Sequence, residues 1–275
     1  MSISIAEFDF VRGMVREQAA IVLDPGKEYL VESRLSPLAV REGFDTLARF
    51  LETLRKAPRS SLAKKVIDAM TTNETSFFRD VDPFEVLRAT ILPELLRARA
   101  GVKRLHIWSA ACSTGQEPYT TAMILGDSFP MLADWDVRIL ATDISHEVLE
   151  RARKAEFGQL EINRGLPAAF LLKYFDRQGT NWRVKESLRK WVRFQELNLI
   201  QPWPLIGVMD IVFVRNVLIY FDVATKKKVL SNVISVLRPD GYVFLGGAET
   251  PLNIEERLEP LAARRGNCYR LRACQ

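Results

Sequence analysis

The sequence predicts an α/β protein with a Rossmann-like open sheet, an all-helical domain before that sheet and a small antiparallel β insert within it. Three observations lead to this prediction. Apolar residues recur only at helical spacing up to about residue 72. Strand-like and helix-like segments then alternate along the rest of the chain, except from about 157 to 191, where the pattern is that of a hairpin. We therefore expect a helical domain at 1–72, a linker at 73–83 and a sheet domain at 84–275.

Composition narrows the class of protein. With 275 residues, of which 48% are hydrophobic and 27% charged, the chain has the make-up of a globular protein with a sizeable core. Its 3 cysteines include no Cys-x-x-Cys pair, so neither a disulfide framework nor a metal site is expected. No apolar run approaches the ~18 residues of a membrane helix, and the acidic N-terminus lacks the basic start of a signal peptide. We therefore expect a cytoplasmic protein that does not insert into a membrane.

In the first 72 residues, breaks at 24–26, 43 and 58 separate four short helices. Lys27, Arg34 and Arg41 are spaced by seven, so they share one side of a helix if Pro37 only kinks it. They form either a basic contact face or ordinary solvated charges. The pattern alone favours solvated charges, because acidic residues are interspersed with them, namely Glu28, Glu32 and Glu42.

A polar linker and a strand–loop–helix unit follow. The polar segment at 71–80, which overlaps the linker, carries Phe77 and Phe78, which we expect to fix it against the core. An amphipathic helix follows at 84–99. A strand at 105–111 then leads through a turn at 113–115 into a helix near Pro118. Gly115 would let the backbone approach a ligand at the helix N-terminus. Because the loop lacks a phosphate cradle and has one glycine of a dinucleotide fingerprint, we expect no triphosphate or pyrophosphate ligand.

The remaining segments predict a parallel sheet that binds a ligand at the carboxyl ends of its central strands. Strands are expected at 137–142, 192–195, 210–214, 242–245 and 267–271, with helices at 145–154 and 223–237. Asp143 ends the second strand, where a carboxylate commonly accepts both hydroxyls of a ribose. A nucleoside without a phosphate cradle indicates S-adenosylmethionine (SAM), although a helix cap or turn role would fit Asp143 equally well.

Six segments carry recognisable patterns in a matching order, namely Thr72–Arg79, Trp108–Tyr119, Ala141–Asp143, Asn198–Leu199, Val214–Phe221 and Arg238–Tyr242. Together they resemble the CheR-type chemotaxis receptor (chemoreceptor glutamate) methyltransferases over the length of the chain. The departures are Gln116 where many members have Glu, Val214 where some have Cys, and Gly247-Ala248-Glu249 where His-Ser-Glu is common. The resemblance implies a class I SAM-dependent methyltransferase sheet, with S-adenosylhomocysteine (SAH) as product.

The resemblance also implies roles for single residues. Arg79 would pair with the cofactor carboxylate and Glu117 with its ammonium, while Asp143 takes the ribose diol. Arg215 and Tyr220 would be the catalytic pair, with Arg215 orienting the substrate carboxylate. Further cofactor contacts are implied for Asn73 and Thr75 in the linker, for Asn198 and Leu199 near the adenine, and for Arg215 and Asn216. From sequence alone, Asn198 is better explained as a turn residue.

The implied reaction is methyl transfer to glutamates on the cytoplasmic helical bundle of methyl-accepting chemotaxis receptors, with Lys27, Arg34 and Arg41 as the docking face and the enzyme as a monomer. A free Glu has a pKa of ~4.3, so the nucleophile is already ionised and no general base is needed. Some members grip a receptor C-terminal pentapeptide through a glycine-rich hairpin loop in the insert. The loop here is short, Asp176–Trp182 with the single glycine Gly179, so we expect no dependence on that tether.

Two other functions compete with this one. The net charge of +5 would suit an RNA or small-molecule methyltransferase, but no basic block or nucleic-acid-binding motif accompanies it, so no nucleic-acid partner is expected. A non-enzymatic cofactor-sensing module would be expected to have lost some of the implied site residues. All of them are present: Arg79, Glu117, Asp143, Arg215 and Tyr220.

Overall fold

The structure is a computed structural model that describes residues 3–261 and 266–272. The chain divides into two compact units. One comprises the described residues up to Thr72 together with Tyr220–Thr225, and the other comprises Asn73–Ile219 and the described residues from Lys226 onward. Within the described residues, no helix combines the length and the apolar character needed to cross a membrane.

The first unit is built from four helices, as predicted: α1 (Ile5–Ala19), α2 (Glu28–Arg41), α3 (Leu47–Lys56) and α4 (Ser61–Met70). Three of them begin at a hydroxyl N-cap whose oxygen accepts a backbone N–H: Ser4, Thr46 and Ser60. Pro37 lies inside α2 without ending it, so the helix is one element over its full length. Lys27, at the N-cap position of α2, and Arg41, its last residue, are both exposed.

The helices of the second unit begin with one interrupted helix. The predicted helix at 84–99 consists of α5 (Asp82–Val86), a π-helical turn (Leu87–Ile91) and α6 (Leu92–Ala98). The Leu92 N–H donates to Leu87 O, five residues back, and Pro93 beside it has no N–H for a normal helical bond. The other helices are α7 (Gln116–Ser128), α8 (His146–Lys154), α9 (Gln159–Asn163), α10 (Ala168–Tyr174), α11 (Glu186–Arg189) and α12 (Val223–Val236), which belongs to this unit from Lys226 onward.

The strands form two sheets. They are β1 (Arg104–Ala110), β2 (Asp136–Asp143), β3 (Glu156–Gly158), β4 (Phe175–Gln178), β5 (Asn181–Val184), β6 (Val192–Glu196), β7 (Met209–Val214), β8 (Leu237–Leu245), β9 (Leu258–Pro260) and β10 (Cys268–Leu271). The large sheet has seven strands in the order β6-β2-β1-β7-β8-β10-β9. The small one, β3-β5-β4, is antiparallel and confirms the predicted insert.

The large sheet is mixed, which corrects the prediction of a parallel sheet. The first five strands in its order are parallel, whereas β10 is antiparallel to both of its neighbours, β8 and β9. Residue pattern identifies a strand but does not give its direction, and β9 is a three-residue edge strand ending in Pro260 that no pattern indicated. β8 also starts at Leu237, earlier than predicted, with a register shift opposite β7 between Met209 and Ile211.

The register of the parallel strands brings their carboxyl ends to one edge. Ala110 lies opposite Thr142 on one side and Val214 on the other, and Val214 lies opposite Leu245. Chain order reverses direction at β1, and in open α/β sheets this switch point is where ligands bind. The loops that follow β1, β2, β7 and β8 therefore start close together.

Two cysteines are buried and free, Cys112 and Cys268. Burial raises the pKa of the Cys112 thiol well above its ordinary value, and burial likewise raises the pKa of Cys268. Both are therefore neutral thiols at pH 7, in keeping with the structural role expected for them. Cys274 lies outside the described residues.

Candidate active site

The loop after β1 has an unusual backbone. Ala111, Ser113 and Gly115 have positive φ values of 55°, 50° and 96°. The Cys112 N–H between the first two donates to Thr142 O at 2.9 Å, which ties this loop to the end of β2. The Gly115 N–H donates to Cys112 O at 3.1 Å, so the backbone N–H groups of this loop hold it in its own conformation.

Gly115 is required for two reasons, and its positive φ is the first. A Cβ at this position would also lie 3.1 Å from Ala152 Cβ and 3.3 Å from the Tyr119 ring. The space beside Gly115 is thus filled by α8 and α7, whereas the sequence had suggested a close approach to a ligand. This glycine lets the helices pack closely under the loop.

Asp143, at the end of β2, is 6% exposed. Its Oδ2 accepts the Ser113 N–H at 2.9 Å, and its Oδ1 accepts the Ser145 N–H at 3.0 Å. Burial raises the pKa of Asp143 above its ordinary value, and backbone hydrogen bonds from Ser145, Ser113 and Ile144 oppose that rise. A carboxylate has about four lone-pair positions, so three backbone donors leave at least one position for a further donor.

Glu117 lies in the first turn of α7, where the positive end of the helix dipole favours a carboxylate. Ser109 Oγ, on β1, donates to its Oε1 at 2.8 Å. Arg215 Nη1 donates to its Oε2 at 2.9 Å. The side chain is 13% exposed, so Glu117 is an oriented carboxylate with little access to water.

Arg215 directly follows the fully buried strand β7 and is itself buried, with a side chain 2% exposed. Besides Glu117, its guanidinium binds Asp80 Oδ2 at 2.8 Å and Arg79 O at 2.9 Å, both through Nη2. The Phe84 ring centroid lies 5.4 Å from the guanidinium carbon, which is within cation–π range. Among the described residues, Arg215 Nε has no hydrogen-bond partner.

The linker is bound to the sheet unit by hydrogen bonds along its length. Ser113 Oγ donates to Asn73 O at 2.8 Å, and the Phe78 N–H donates to Thr120 Oγ1 at 3.2 Å. Arg79 Nη1 donates to Glu74 O at 2.8 Å, and Glu74 itself forms an ion pair with Arg164 in the insert. Thr75 and Arg79 are both half-buried.

The paired aromatic residues of the linker pack against the core, as the sequence predicted. Phe77 is fully buried, with ring centroids of Phe157 and Phe175 at 4.9 and 5.7 Å in edge-on geometry. The Phe78 ring centroid lies 5.8 Å from that of Phe84 and 5.2 Å from that of Phe170 in the insert. The linker is therefore fixed by aromatic packing.

Asn198 and Leu199 follow β6 beside the end of β2. The Leu197 N–H donates to Asp143 O at 2.9 Å, so this loop is tied to the same strand end as Asp143. Asn198 Oδ1 accepts the Ile200 N–H at 3.1 Å, an Asx turn of the kind the residue pattern favoured. Leu199 is buried.

The loop after β7 is held by a residue that sequence analysis did not select. Glu249, 6% exposed, accepts the backbone N–H groups of Asn216 (2.8 Å), Ile219 (3.2 Å) and Gly246 (2.6 Å). Asn216 has a positive φ of 58°, and a Cβ at Gly246 would lie 2.7 Å from Asn216 N. The signal available in the sequence was the family position itself, because Glu249 is the one residue shared with the usual His-Ser-Glu.

The structure joins several of the selected residues in two separate clusters, one around Arg215 and one around Ser113. Glu117 contacts Arg215 directly, Asn73 and Asp143 both bind Ser113, and the Arg79 carbonyl contacts Arg215. Tyr220 has no part in these bonds. It belongs to the helical unit, where its carbonyl accepts the Val22 N–H at 3.2 Å.

The three residues selected for receptor docking differ in their exposure to solvent. Lys27 and Arg41 are exposed, whereas Arg34 is half-buried. Arg34 donates to Met70 O (2.7 Å), Thr71 O (2.9 Å) and Thr72 Oγ1 (3.1 Å), all at the end of α4. Burial lowers the pKa of the Arg34 guanidinium below its ordinary value.

Comparison with known proteins gives matches to both parts of the chain. Residues 6–71 match the model of the CheR methyltransferase all-alpha domain, and residues 73–266 match that of the CheR methyltransferase SAM binding domain. The chain is 41% identical to chemotaxis protein methyltransferase 1 of Pseudomonas aeruginosa, over 98% of this chain and 99% of that one. It is 39% identical to chemotaxis protein methyltransferase Cher2 of Pseudomonas putida, over 98% and 99%.

Solved structures of other methyltransferases are more distant. The glycopeptide N-methyltransferase MtfA complexed with SAM is 16% identical, with a TM-score of 0.35 over 71% of this chain and 68% of that chain, a likeness too low to bear on function. The family models cover most of the chain, and the curated relatives cover nearly all of it. The chain therefore belongs to the CheR methyltransferase family and is a SAM-dependent methyltransferase.

Proposed function

We propose that this enzyme methylates glutamate side chains on the cytoplasmic helical bundle of methyl-accepting chemotaxis proteins, giving glutamate methyl esters and SAH. The observation that carries the proposal is the buried guanidinium of Arg215, which follows β7 at the sheet edge and already binds two carboxylates, Glu117 and Asp80. A guanidinium matches a carboxylate in geometry and charge, so this position suits a carboxylate substrate.

The side chains around the loop after β1 fit SAM. The ammonium, carboxylate and ribose diol of SAM each need a partner once removed from water. We assign Glu117 to the ammonium, Arg79 to the carboxylate and Asp143 to the diol. Asn73 and Thr75 in the linker, Asn198 and Leu199 beside Asp143, and Arg215 and Asn216 after β7 complete the proposed pocket. The lone-pair position that the backbone donors leave free on the Asp143 carboxylate supports the diol assignment.

When bound, SAM supplies an electrophilic methyl group on a sulfonium. The attacking carboxylate is ionised at neutral pH, so the residues of the enzyme have no proton to remove. Their work is to hold the carboxylate in line with the methyl group and to exclude water. We assign Arg215 to orienting the carboxylate and Tyr220 to holding the glutamate side chain.

The test is methyl incorporation from labelled SAM into receptor-containing membranes and into RNA. Methyl esters of glutamate are cleaved by mild alkali, so we expect alkali-labile label in receptors of the size of a chemotaxis protein. Receptors whose candidate glutamates are replaced by alanine are the matched control. Label that enters RNA, or that survives alkali, would reject glutamate methylation in favour of another methyl acceptor.

We also propose that the enzyme acts without a receptor C-terminal pentapeptide tether. Two residues, Gly179 and Thr180, connect β4 to β5, and Arg177 Nε donates back to Gly179 O at 3.2 Å. The Arg177 guanidinium also lies 5.9 Å from the Trp182 ring. A peptide that adds as an edge strand needs open backbone groups and also space for its own backbone. β3 and β4 are edge strands of the order β3-β5-β4, so the short β4–β5 turn supports the view that space is what this insert lacks.

Tethering acts through effective concentration, which is often in the mM range for a flexible linker. A tether-dependent enzyme would therefore lose most of its activity on receptors without their last residues. We expect equal rates on full-length and truncated receptors. Micromolar binding of a free C-terminal pentapeptide in a calorimeter would contradict this proposal and leave glutamate methylation unaffected.

A further inference from the structure

The guanidinium of Arg215 lies between two carboxylates that differ in their access to water. Glu117 is 13% exposed and its second oxygen is bound by Ser109, so it belongs to the interior of the site. Asp80 is 48% exposed and binds Arg215 through Oδ2 alone, at 2.8 Å. Glu117 is thus a fixed partner of Arg215, and Asp80 is an exchangeable one.

The energetic cost of losing each partner differs accordingly. An ion pair with one half-exposed member contributes little net stability, because water can replace the lost contact. A buried guanidinium left without a partner is strongly destabilising. Any carboxylate that arrives from solvent can therefore take the place of Asp80 at low cost, provided that Arg215 remains paired throughout.

The backbone at Asp80 suits such an exchange. Phe78, Asp80 and Val81 all have positive φ values, of 50°, 66° and 38°. A β-branched residue such as Val81 is disfavoured in that region, so the turn is held by its surroundings. Phe78 provides this hold through Thr120 and the aromatic cluster, so the Asp80 side chain can leave Arg215 while the backbone stays in place.

We propose that Asp80 is a placeholder for the substrate: it pairs with Arg215 in the free enzyme and is displaced when the glutamate carboxylate of the receptor binds there. This inference rests on the proposed function. The exchange keeps the charge around Arg215 constant, because one carboxylate replaces another. Asp80 is thus a positioning residue that keeps Arg215 oriented and also competes with the substrate.

The test compares Asp80→Asn with wild type and with Asp82→Asn. Asparagine tolerates the left-handed conformation of Asp80 and keeps an amide oxygen for Arg215, but it lacks the charge that competes with the substrate. Asp82 is an exposed acid in the same turn, so its replacement removes the same charge from the same region. The affinity of each SAH-loaded enzyme for an unmethylated receptor bundle is measured by calorimetry, together with KM and kcat.

We expect Asp80→Asn to bind the receptor about two- to fivefold more tightly, the equivalent of one partly exposed ion pair, with a matching fall in KM and unchanged SAH affinity. Asp82→Asn should behave as wild type. Unchanged or weaker receptor binding by Asp80→Asn, or equal tightening by Asp82→Asn, would overturn the exchange. If wild type binds SAH but not the receptor, the proposed function fails, and the exchange fails with it.

Discussion

Glu249 Oε2 accepts the Asn216 N–H at 2.8 Å, so the loop after β8 fixes the backbone that follows Arg215. The same oxygen accepts the Gly246 N–H at 2.6 Å, and Oε1 accepts the Ile219 N–H at 3.2 Å. One buried carboxylate thus binds two backbone groups of the segment that follows Arg215 and one of the loop after β8. In these bonds Glu249 contacts only backbone groups. It would therefore affect the reaction by positioning Arg215.

We predict that Glu249→Gln lowers kcat by roughly tenfold to a hundredfold, because a small misplacement of Arg215 costs that much in rate. Glutamine retains one acceptor oxygen for the three N–H groups. SAH affinity, measured by calorimetry, should change far less than kcat. Exposed Glu256, in the same loop, provides the control Glu256→Gln. Equal kinetics for the two variants would show that the loop after β8 does not position Arg215.

Gly165, in the insert, lies against the backbone of the linker at Phe77. A Cβ there would lie 2.2 Å from Phe77 O, and Gly165 has a φ of 95°. We predict that Gly165→Ala displaces Phe77 and with it the linker, so that SAH affinity falls.

Gly207→Ala is the matched control, because Gly207 has a similar φ of 86° but open space around it. Both variants should lose about 1–2 kcal/mol of stability from backbone strain, as measured by denaturant unfolding. Only Gly165→Ala should also weaken SAH binding. If the two variants bind SAH equally well, displacement of Phe77 does not alter the SAH site.

The third prediction concerns Asp143. Its carboxylate accepts backbone N–H groups and, in the proposed pocket, two hydroxyls, all of which require the ionised form. Asp143→Ala should weaken SAH binding by about 1.5–3 kcal/mol, the value of a hydrogen bond to a charged group. A calorimetric affinity equal to that of wild type would remove Asp143 from the pocket.

The pH dependence of SAH binding follows from the raised pKa of Asp143. Affinity should be constant near neutral pH and fall as the pH drops through that raised pKa, beginning at a higher pH than for an aspartate of ordinary pKa 3.8. Asp143→Asn cannot be protonated in this way and should lack that acidic limb. If the affinity of Asp143→Asn for SAH still falls at acidic pH, a titratable group other than Asp143 causes that fall.

The fourth prediction separates Arg34 from the docking face. Because its guanidinium binds three acceptors at the end of α4, Arg34→Met should destabilise the protein by about 1.5–3 kcal/mol in denaturant unfolding. A charge reversal at Arg34 therefore tests stability as much as docking. A variant as stable as wild type would show that these bonds are dispensable.

The fifth prediction tests docking with the two exposed cations. Lys27→Glu and Arg41→Glu should each raise the receptor KM, and the effect should shrink as salt screens the charges. SAH affinity should stay unchanged. Lys64→Glu, another exposed lysine of the helical unit, is the control. If all three reversals act alike, the effect is one of net charge, and no docking face lies on α2.

The sequence identified residues whose role follows from local pattern. The local pattern selected Asp143 because it ends a strand and precedes a helix, and Asp143 does end β2. Glu117 was implied by the family resemblance, and it lies in the first turn of α7. Asp80, Gly165 and Glu249 were not selected. Their partners are remote in sequence: Asp80 and Arg215 are separated by 135 positions, and Glu249 and Asn216 by 33. Such pairings depend on strand order, which periodicity does not give.

Arg34 differs from the sequence-based expectation for another reason. Its seven-residue spacing from Lys27 and Arg41 is real, and α2 is continuous through Pro37 as that spacing required. Spacing on a helix, however, gives the direction of a side chain and not its neighbours. The guanidinium of Arg34 finds three acceptors at the end of α4, and nothing in its own helix could have indicated them.

The helical unit is not a continuous stretch of chain, since Tyr220–Thr225 belongs to it together with the residues up to Thr72. Tyr220 O accepts the Val22 N–H, and Asp222 pairs with Arg16 at 3.3 Å. A gene fragment cut after residue 72 would therefore encode neither unit whole: the first fragment would lack one of its segments, and the second would carry six residues without their packing partners. Fusion, truncation and domain-exchange experiments should therefore keep Tyr220–Thr225 together with the residues up to Thr72.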